Sequence, residues 1–301
     1  MNVVKGFVMY SANFKYYSPR TVAEAVKLLQ EHGEEARILA GGMSLIPMMK
    51  MRLVSVNHLI DIGKIDSMKG IAENGSDIVI GGATTHHAIE TSPLIQKEVP
   101  LMSEVASWIG DPQVRNKGTI GGSLSHADPS GDWGACIIAL KGKIMVSNGE
   151  KERAIDSDDF FVDMYETSIK AGEILTRVSV PAKSGKGHGF SYMNMERKAG
   201  DFATVGVATQ LELDDKGNCS SAGIGLTAVG RTPMRASEAE EFLLGKKVGI
   251  DGINEAAKLA VKSTDPTDDP LRGSAEFKKA MCEVYTRRSL RTAFERAGGA
   301  I

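Results

Sequence analysis

The hydrophobic pattern of this chain changes period near residues 183–188, and that break constrains its fold most. Ahead of it, apolar residues come in short continuous runs: Ala36-Arg37-Ile38-Leu39, His58-Leu59-Ile60-Asp61-Ile62 and Asp77-Ile78-Val79-Ile80. Such runs are the profile of buried strands. Beyond it, Val205-Gly-Val-Ala-Thr-Gln-Leu-Glu-Leu alternates with period two, DDKGN turns, and a second strand runs to Val229. That predicts an antiparallel sheet. Two or three helices close the chain, the last with Phe277, Met281, Val284, Tyr285 and Phe294 at helical spacing. The segment from Lys183 to Gly189, with SGKGHG inside it, reads as a linker between two domains.

Local signals subdivide the first part. Ser18-Pro19 opens a helix, with Ser at the cap and Pro at the first helical position. Val22, Ala25, Val26 and Leu29 share one face of it, and Gly33 ends it. A helical stretch from Thr85 to Trp108 is broken at Pro93 and Pro100. Gly110 to Asp132, rich in Gly, Asp and Pro, reads as one long loop, followed by an apolar helix from Trp133 to Leu140. Asn148-Gly149 marks a hairpin, and a strand from Ile174 to Val180 ends at Pro181.

Composition removes several function classes. The formal charge is -2, so no basic excess drives binding to nucleic acid or an anionic membrane. No apolar stretch approaches the roughly 20 residues of a membrane span. The N-terminus lacks the apolar run and cleavage pattern of a signal peptide, so a cytoplasmic protein is expected. A start at Met9, with residues 1–8 as an extension, is compatible with this terminus. The three cysteines, Cys136, Cys219 and Cys282, form no C-x-x-C. They suit neither a disulfide framework nor an iron–sulfur cluster, which needs four thiolates, so any cluster belongs to another chain. Cys136 and Cys282 read as buried structural thiols.

Two glycine pairs carry the chemistry. Ala40-Gly41-Gly42-Met43-Ser44-Leu45 follows a strand, with Ser44 placed to cap the next helical turn. Glycine lets backbone N–H groups converge on an anion, and a helix start adds a favourable field. The same pair also suits a plain tight turn. The second is Gly118-Thr119-Ile120-Gly121-Gly122-Ser123, with hydroxyls suited to phosphate oxygens and Asp132 downstream for ribose hydroxyls. Two such loops in one domain suit a dinucleotide with a pyrophosphate link. No G-x-G-x-x-G and no G-x-x-x-x-G-K-[ST] occurs, so the Rossmann and P-loop readings fail. A third segment, Glu196 to Thr204, offers Phe202 to pack on an aromatic ring and Lys198 near a polar edge, or is a charged turn. His86-His87 lack a ligand-spaced third residue, and no metal site is expected. His126 reads as support for the loop, Met43, Met48, Met49 and Met51 as gap-filling core, and Arg115 and Lys117 as solvated charges or phosphate partners.

AGGMSLIPMMKMRL, GDPQVRNKGTIGGSLSHADPSGD and ERKAGDFATVG, in this order, resemble the medium FAD-binding subunit of molybdenum hydroxylases. That family includes subunits of aerobic carbon monoxide dehydrogenase and archaeal glyceraldehyde oxidoreductase, and a module of xanthine dehydrogenase. The resemblance covers about residues 9–297. It implies an α+β fold with a vanillyl-alcohol-oxidase (PCMH)-type FAD-binding domain over residues 9–183. That domain has two α/β subdomains, about 9–63 and 64–183. A C-terminal domain over 188–297, a small antiparallel sheet with helices, follows.

By the same resemblance, FAD contacts Ala40, Gly41, Gly42, Met43, Ser44 and Leu45 on one side of its pyrophosphate. Gly118, Thr119, Ile120, Gly121, Gly122 and Ser123 meet it on the other. Asp132 takes the ribose end, Ile109 and Gly110 border the cofactor, and Lys198, Asp201 and Phe202 lie near the flavin. Met43 departs from the polar residue that relatives often carry, so no side-chain contact is expected there. Electrons are expected from [2Fe–2S] clusters of a small subunit, with substrate oxidised on a large molybdopterin-binding subunit, in a dimer of heterotrimers. No catalytic acid–base pair is expected in this chain. The competing readings are a stand-alone FAD oxidoreductase and a cofactor-free assembly module.

Overall fold

The structure, a computed structural model, describes residues 10–299. The extension ahead of Met9 lies outside the described residues.

The short apolar runs form two sheets. Strands Lys15–Tyr17, His58–Asp61 and Ala36–Leu39 pair in that order, all parallel. The helix Val22–His32 packs on them through Ala25 and Val26. Its cap differs from the expectation: the Thr21 hydroxyl accepts from the Glu24 N–H at 3.1 Å, and Ser18-Pro19 lie outside the helix. Both residues are capping types, and Thr21 is the one spaced to reach an unpaired helix N–H. Gly33 ends the helix at a φ of 52°.

The second sheet runs Ile71–Asn74, Asp77–Gly81, Ile174–Pro181, Lys143–Ser147, Glu152–Asp156, antiparallel throughout. Asn148-Gly149 makes the predicted hairpin between its last two strands, with Gly149 at a φ of 92°. Helices cover the sheet. Pro93 and Pro100 divide the predicted helical stretch into His86–Glu90, Pro93–Glu98 and Pro100–Trp108. Each proline takes a first-turn position, where its missing N–H costs no helical bond. Asp132–Ala139 is buried along its whole length.

The long loop expected from Gly110 to Asp132 is instead broken by two short helices, Pro112–Arg115 and Ile120–His126. Asp111 caps the first by accepting from the Val114 N–H at 2.8 Å, and Thr119 caps the second by accepting from Gly122 at 3.1 Å. Glycine at 121 and 122 lowers helix propensity enough to hide the second one in sequence.

Strands His188–Met195, Val205–Leu213, Cys219–Thr227 and Met234–Arg235 then form an antiparallel meander. Helices Ser237–Leu243, Ile250–Val261 and Ala275–Arg296 pack on it. The face that the last helix buries includes Cys282, Thr286, Ser289, Leu290 and Ala293, while Phe277 is exposed and Met281, Val284 and Tyr285 flank it. Ser289 donates to Thr209 at 2.9 Å, and small residues here let helix and strand approach. A Cβ at Gly189 would lie 1.8 Å from the Ala293 carbonyl oxygen. All three cysteines are buried and free, and burial pushes the Cys282 thiol up to about 12. Among the described residues no helix is long and apolar enough to cross a membrane.

Candidate functional site

The strand Ala36–Leu39 ends at residues 40–44, where Gly42 takes a φ of 75° that L side chains rarely adopt. The helix Leu45–Lys50 follows at once. Ser44 stands at its cap position, but with an αR backbone its hydroxyl makes no capping bond. Gly41 touches the second glycine loop: a Cβ there would lie 2.1 Å from the Lys117 carbonyl oxygen and 2.6 Å from the Gly118 Cα. The two loops therefore meet backbone to backbone.

A third layer lies beneath them. The His86 N–H donates to the Gly118 carbonyl at 3.0 Å, Ile120 to Thr84 at 3.1 Å, and Gly121 to Gly82 at 2.9 Å. A Cβ at Gly121 would lie 2.5 Å from the Gly82 carbonyl oxygen, so this position also depends on glycine.

These loops open onto a cavity of about 680 Å³, a size usual for a cofactor site. Residues 40–45, 109–110, 118–119, 121–123, 132, 201 and 202 all line it. Ile120 does not, being fully buried in the core, and Lys198 is exposed away from it. Met43 and Met48 line the cavity rather than fill the core; of the methionine run only Met49 is buried. The hairpin of Phe161–Asp163 and Glu166–Thr167 adds Tyr165, held at a φ of 58°, which sequence reading missed. His126 and Tyr165 meet with ring centroids 5.3 Å apart, a support for the wall. His86 also lines the cavity and was missed there.

The turn Ile109–Gly110 is pinned from behind. Arg115 is not a solvated loop charge: it pairs with Glu90 at 2.9 Å and donates to the Ile109 and Gly110 carbonyls at 3.3 and 3.2 Å. Lys117 is exposed. From the other side Gly200, at a φ of 78°, rests on the same turn; a Cβ there would lie 3.2 Å from the Gly110 oxygen. Asp201 is held by Arg197 at 3.1 Å and Arg272 at 3.2 Å. Burial opposes its ionisation, but these partners and the Phe202 N–H keep its carboxyl below the usual range.

Asp132 is 7% exposed, and its Oδ1 accepts from Tyr192 and, at 2.9 Å, from Asn194, both on the strand His188–Met195. Burial pushes its carboxyl up to about 6, against the pull of those donors. Among the described residues no group of three or more His, Cys, Asp and Glu is placed to hold a metal.

Residues 12–183 match the family described as the FAD binding domain in molybdopterin dehydrogenase, and residues 190–293 the carbon monoxide dehydrogenase flavoprotein C-terminal domain. The chain is 39% identical to the carbon monoxide dehydrogenase medium chain of Hydrogenophaga pseudoflava, over 96% of this chain and 99% of that one. It is 34% identical to the glyceraldehyde dehydrogenase medium chain of Sulfolobus acidocaldarius, over 94% and 99%. The solved carbon monoxide dehydrogenase of Hydrogenophaga pseudoflava superposes with a TM-score of 0.92 at 40% identity, over 95% of this chain and 99% of that one. Both domains, in this order and over nearly the whole length, place the chain among the FAD-binding medium subunits of molybdenum hydroxylases.

Proposed function

We propose that the cavity between the two glycine loops and the loop around Phe202 is where this chain holds FAD. Bound FAD supplies the redox chemistry that takes electrons from [2Fe–2S] clusters of a small partner subunit and delivers them to an external acceptor. The residues present fit that group. Gly41 and Gly121 bring backbone close together where any Cβ would collide, and the backbone N–H groups of residues 41–44, which take no backbone partner among the described residues, favour a pyrophosphate. Phe202, 46% exposed on the cavity rim, offers a flat apolar face. Arg115 and Gly200 keep the Ile109–Gly110 turn in place as its border.

On this reading substrate is oxidised on a large molybdopterin-binding subunit, in a dimer of heterotrimers in the cytoplasm. The linker near residues 183–188 separates the FAD-binding domain from the C-terminal one. The support is that the relatives are themselves named as medium chains of larger enzymes. The observation that carries the proposal is the backbone contact of Gly41 with Lys117 and Gly118, which builds one wall from two distant glycine loops.

The test is a visible spectrum of the purified, folded chain before and after adding FAD, then with the partner subunits. Flavin bands near roughly 370 and 450 nm are expected. Their absence in all three samples would leave the cofactor-free assembly reading. Oxidation of an organic substrate by the loaded chain alone would instead favour a stand-alone oxidoreductase.

A further inference from the structure

His86 combines features that neither the glycine loops nor the core require. It is 4% exposed, yet it lines the cavity. Its Nδ1 lies 3.0 Å from Trp133 Nε1. An indole N–H only donates, so Nδ1 must accept, and a neutral imidazole with an accepting Nδ1 carries its proton on Nε2. The tautomer is therefore fixed by Trp133, which is itself 1% exposed and does not line the cavity.

Nε2 has no protein partner among the described residues. The edge bearing it faces Gly118: a Cβ at that position would lie 2.7 Å from Nε2 and 2.8 Å from Cδ2. The backbone holds the ring there, because the His86 N–H bonds to the Gly118 carbonyl and Thr85 pairs with Thr119. Burial, with the nearby Arg115 charge, lowers the imidazole to about 4, so it stays neutral near pH 7. An unpartnered N–H on a residue that lines the cavity is open to an acceptor there, and this one borders the loop read above as a phosphate cradle.

We infer that His86 is a cofactor-binding residue whose Nε2–H donates to an acceptor oxygen of FAD beside Gly118, and that Trp133 is the positioning residue that fixes this tautomer. The inference rests on the FAD site proposed above. It makes the donor neutral, so the site gains a directed hydrogen bond without a further cation.

The test uses the full chain stripped of flavin, titrated with FAD and followed by flavin fluorescence, alongside imidazole ¹⁵N NMR. Nitrogen shifts of the wild-type chain are expected to show His86 protonated on Nε2, with the attached proton moving on FAD addition. His86→Leu is expected to weaken FAD binding about tenfold, the loss of one hydrogen bond to a charged acceptor. His86→Gln, whose amide nitrogen can take the place of Nε2, is expected to restore most of it. Trp133→Phe is expected to weaken binding about three- to tenfold with mixed tautomers at His86, and to add nothing in the His86→Leu background.

A wild-type chain that binds no FAD in any form overturns the site reading and the inference with it. Normal binding by the wild type and equal binding by His86→Leu overturns the inference alone. So does an Nδ1-protonated His86 in the wild type, a result that does not depend on any variant folding.

Discussion

Tyr192 donates its hydroxyl to the carboxylate of Asp132, and that bond ties the C-terminal meander to the helix Asp132–Ala139 at the cavity. Tyr192 is buried away from the cavity, whereas Asp132 lines it and also accepts from Asn194. Tyr192→Phe is expected to destabilise the protein by about 1–3 kcal/mol, the cost of leaving a buried acceptor short of a donor. A thermal melt checks it, with a fall of a few degrees expected for a chain of this size.

Asp132 and His86 make opposite contributions to stability against pH. The folded carboxyl of Asp132 is raised from 3.8 to about 6. Its contribution is fully present below pH 4 and is lost as pH rises through about 6. The folded imidazole of His86 is lowered from 6.5 to about 4. Its contribution is present above pH 6.5 and is lost as pH falls through about 4. In the wild type the two slopes oppose each other across the same window. Asp132→Asn is expected to unmask a stability that falls as pH drops from 6.5 to 4, and His86→Gln one that rises over that range. Urea midpoints at several pH values measure both slopes.

Neighbouring glycines in the second loop are expected to respond differently to one added methyl. At Gly121 it would meet the Gly82 carbonyl oxygen at 2.5 Å and the Gly82 Cα at 2.9 Å, both backbone. At Gly122 it would meet Thr119 Oγ1 at 2.9 Å and otherwise only the Ala40 Cβ at 3.6 Å. Gly121→Ala is expected to cost about 1–3 kcal/mol of stability, the range for overpacking. Gly122→Ala is expected to cost less and to act mainly on FAD affinity. Melting curves and FAD titrations of the two variants separate these effects.

Arg115→Lys is not a conservative change at this position. The guanidinium reaches Glu90 and the carbonyls of Ile109 and Gly110 at once, which a single ammonium does not match. The variant is expected to lose about 1–2 kcal/mol of stability and to speed amide hydrogen exchange in residues 109–111. Unchanged exchange there would show that the turn does not depend on Arg115.

Much of the site was legible because it is built from backbone. Gly41, Gly42, Gly121 and Gly122 stand out in sequence for the same reason that they matter in space, the lack of a Cβ. The period switch after residue 183 was legible because polar and apolar residues alternate along Val205–Leu213, although the folded strand is buried on both faces. Contacts made across the fold were not legible. His86 is only one of two adjacent histidines until Trp133, 47 positions away, fixes its nitrogen. Arg115 reads as a loop charge until Glu90 faces it. Lys198 sits in the right segment but is exposed and does not line the cavity, while Asp201 and Phe202 do. Tyr165 gave no signal, since its left-handed backbone is imposed by the hairpin and not encoded by a glycine.

The walls of the cavity come from three sheets whose strands are far apart along the chain. Residues 40–45 follow the first sheet, the helix Ile120–His126 packs under the second, and Gly200 to Phe202 leave the third. The lining runs from Arg37 to Phe202, so a chain still emerging from the ribosome cannot close the pocket until about two thirds of it has been made. Flavin retention thus reports that the three sheets have come together, with Asp201 held from the C-terminal part by Arg272, and a truncation ahead of Phe202 should register as a loss of colour before any partner is encountered.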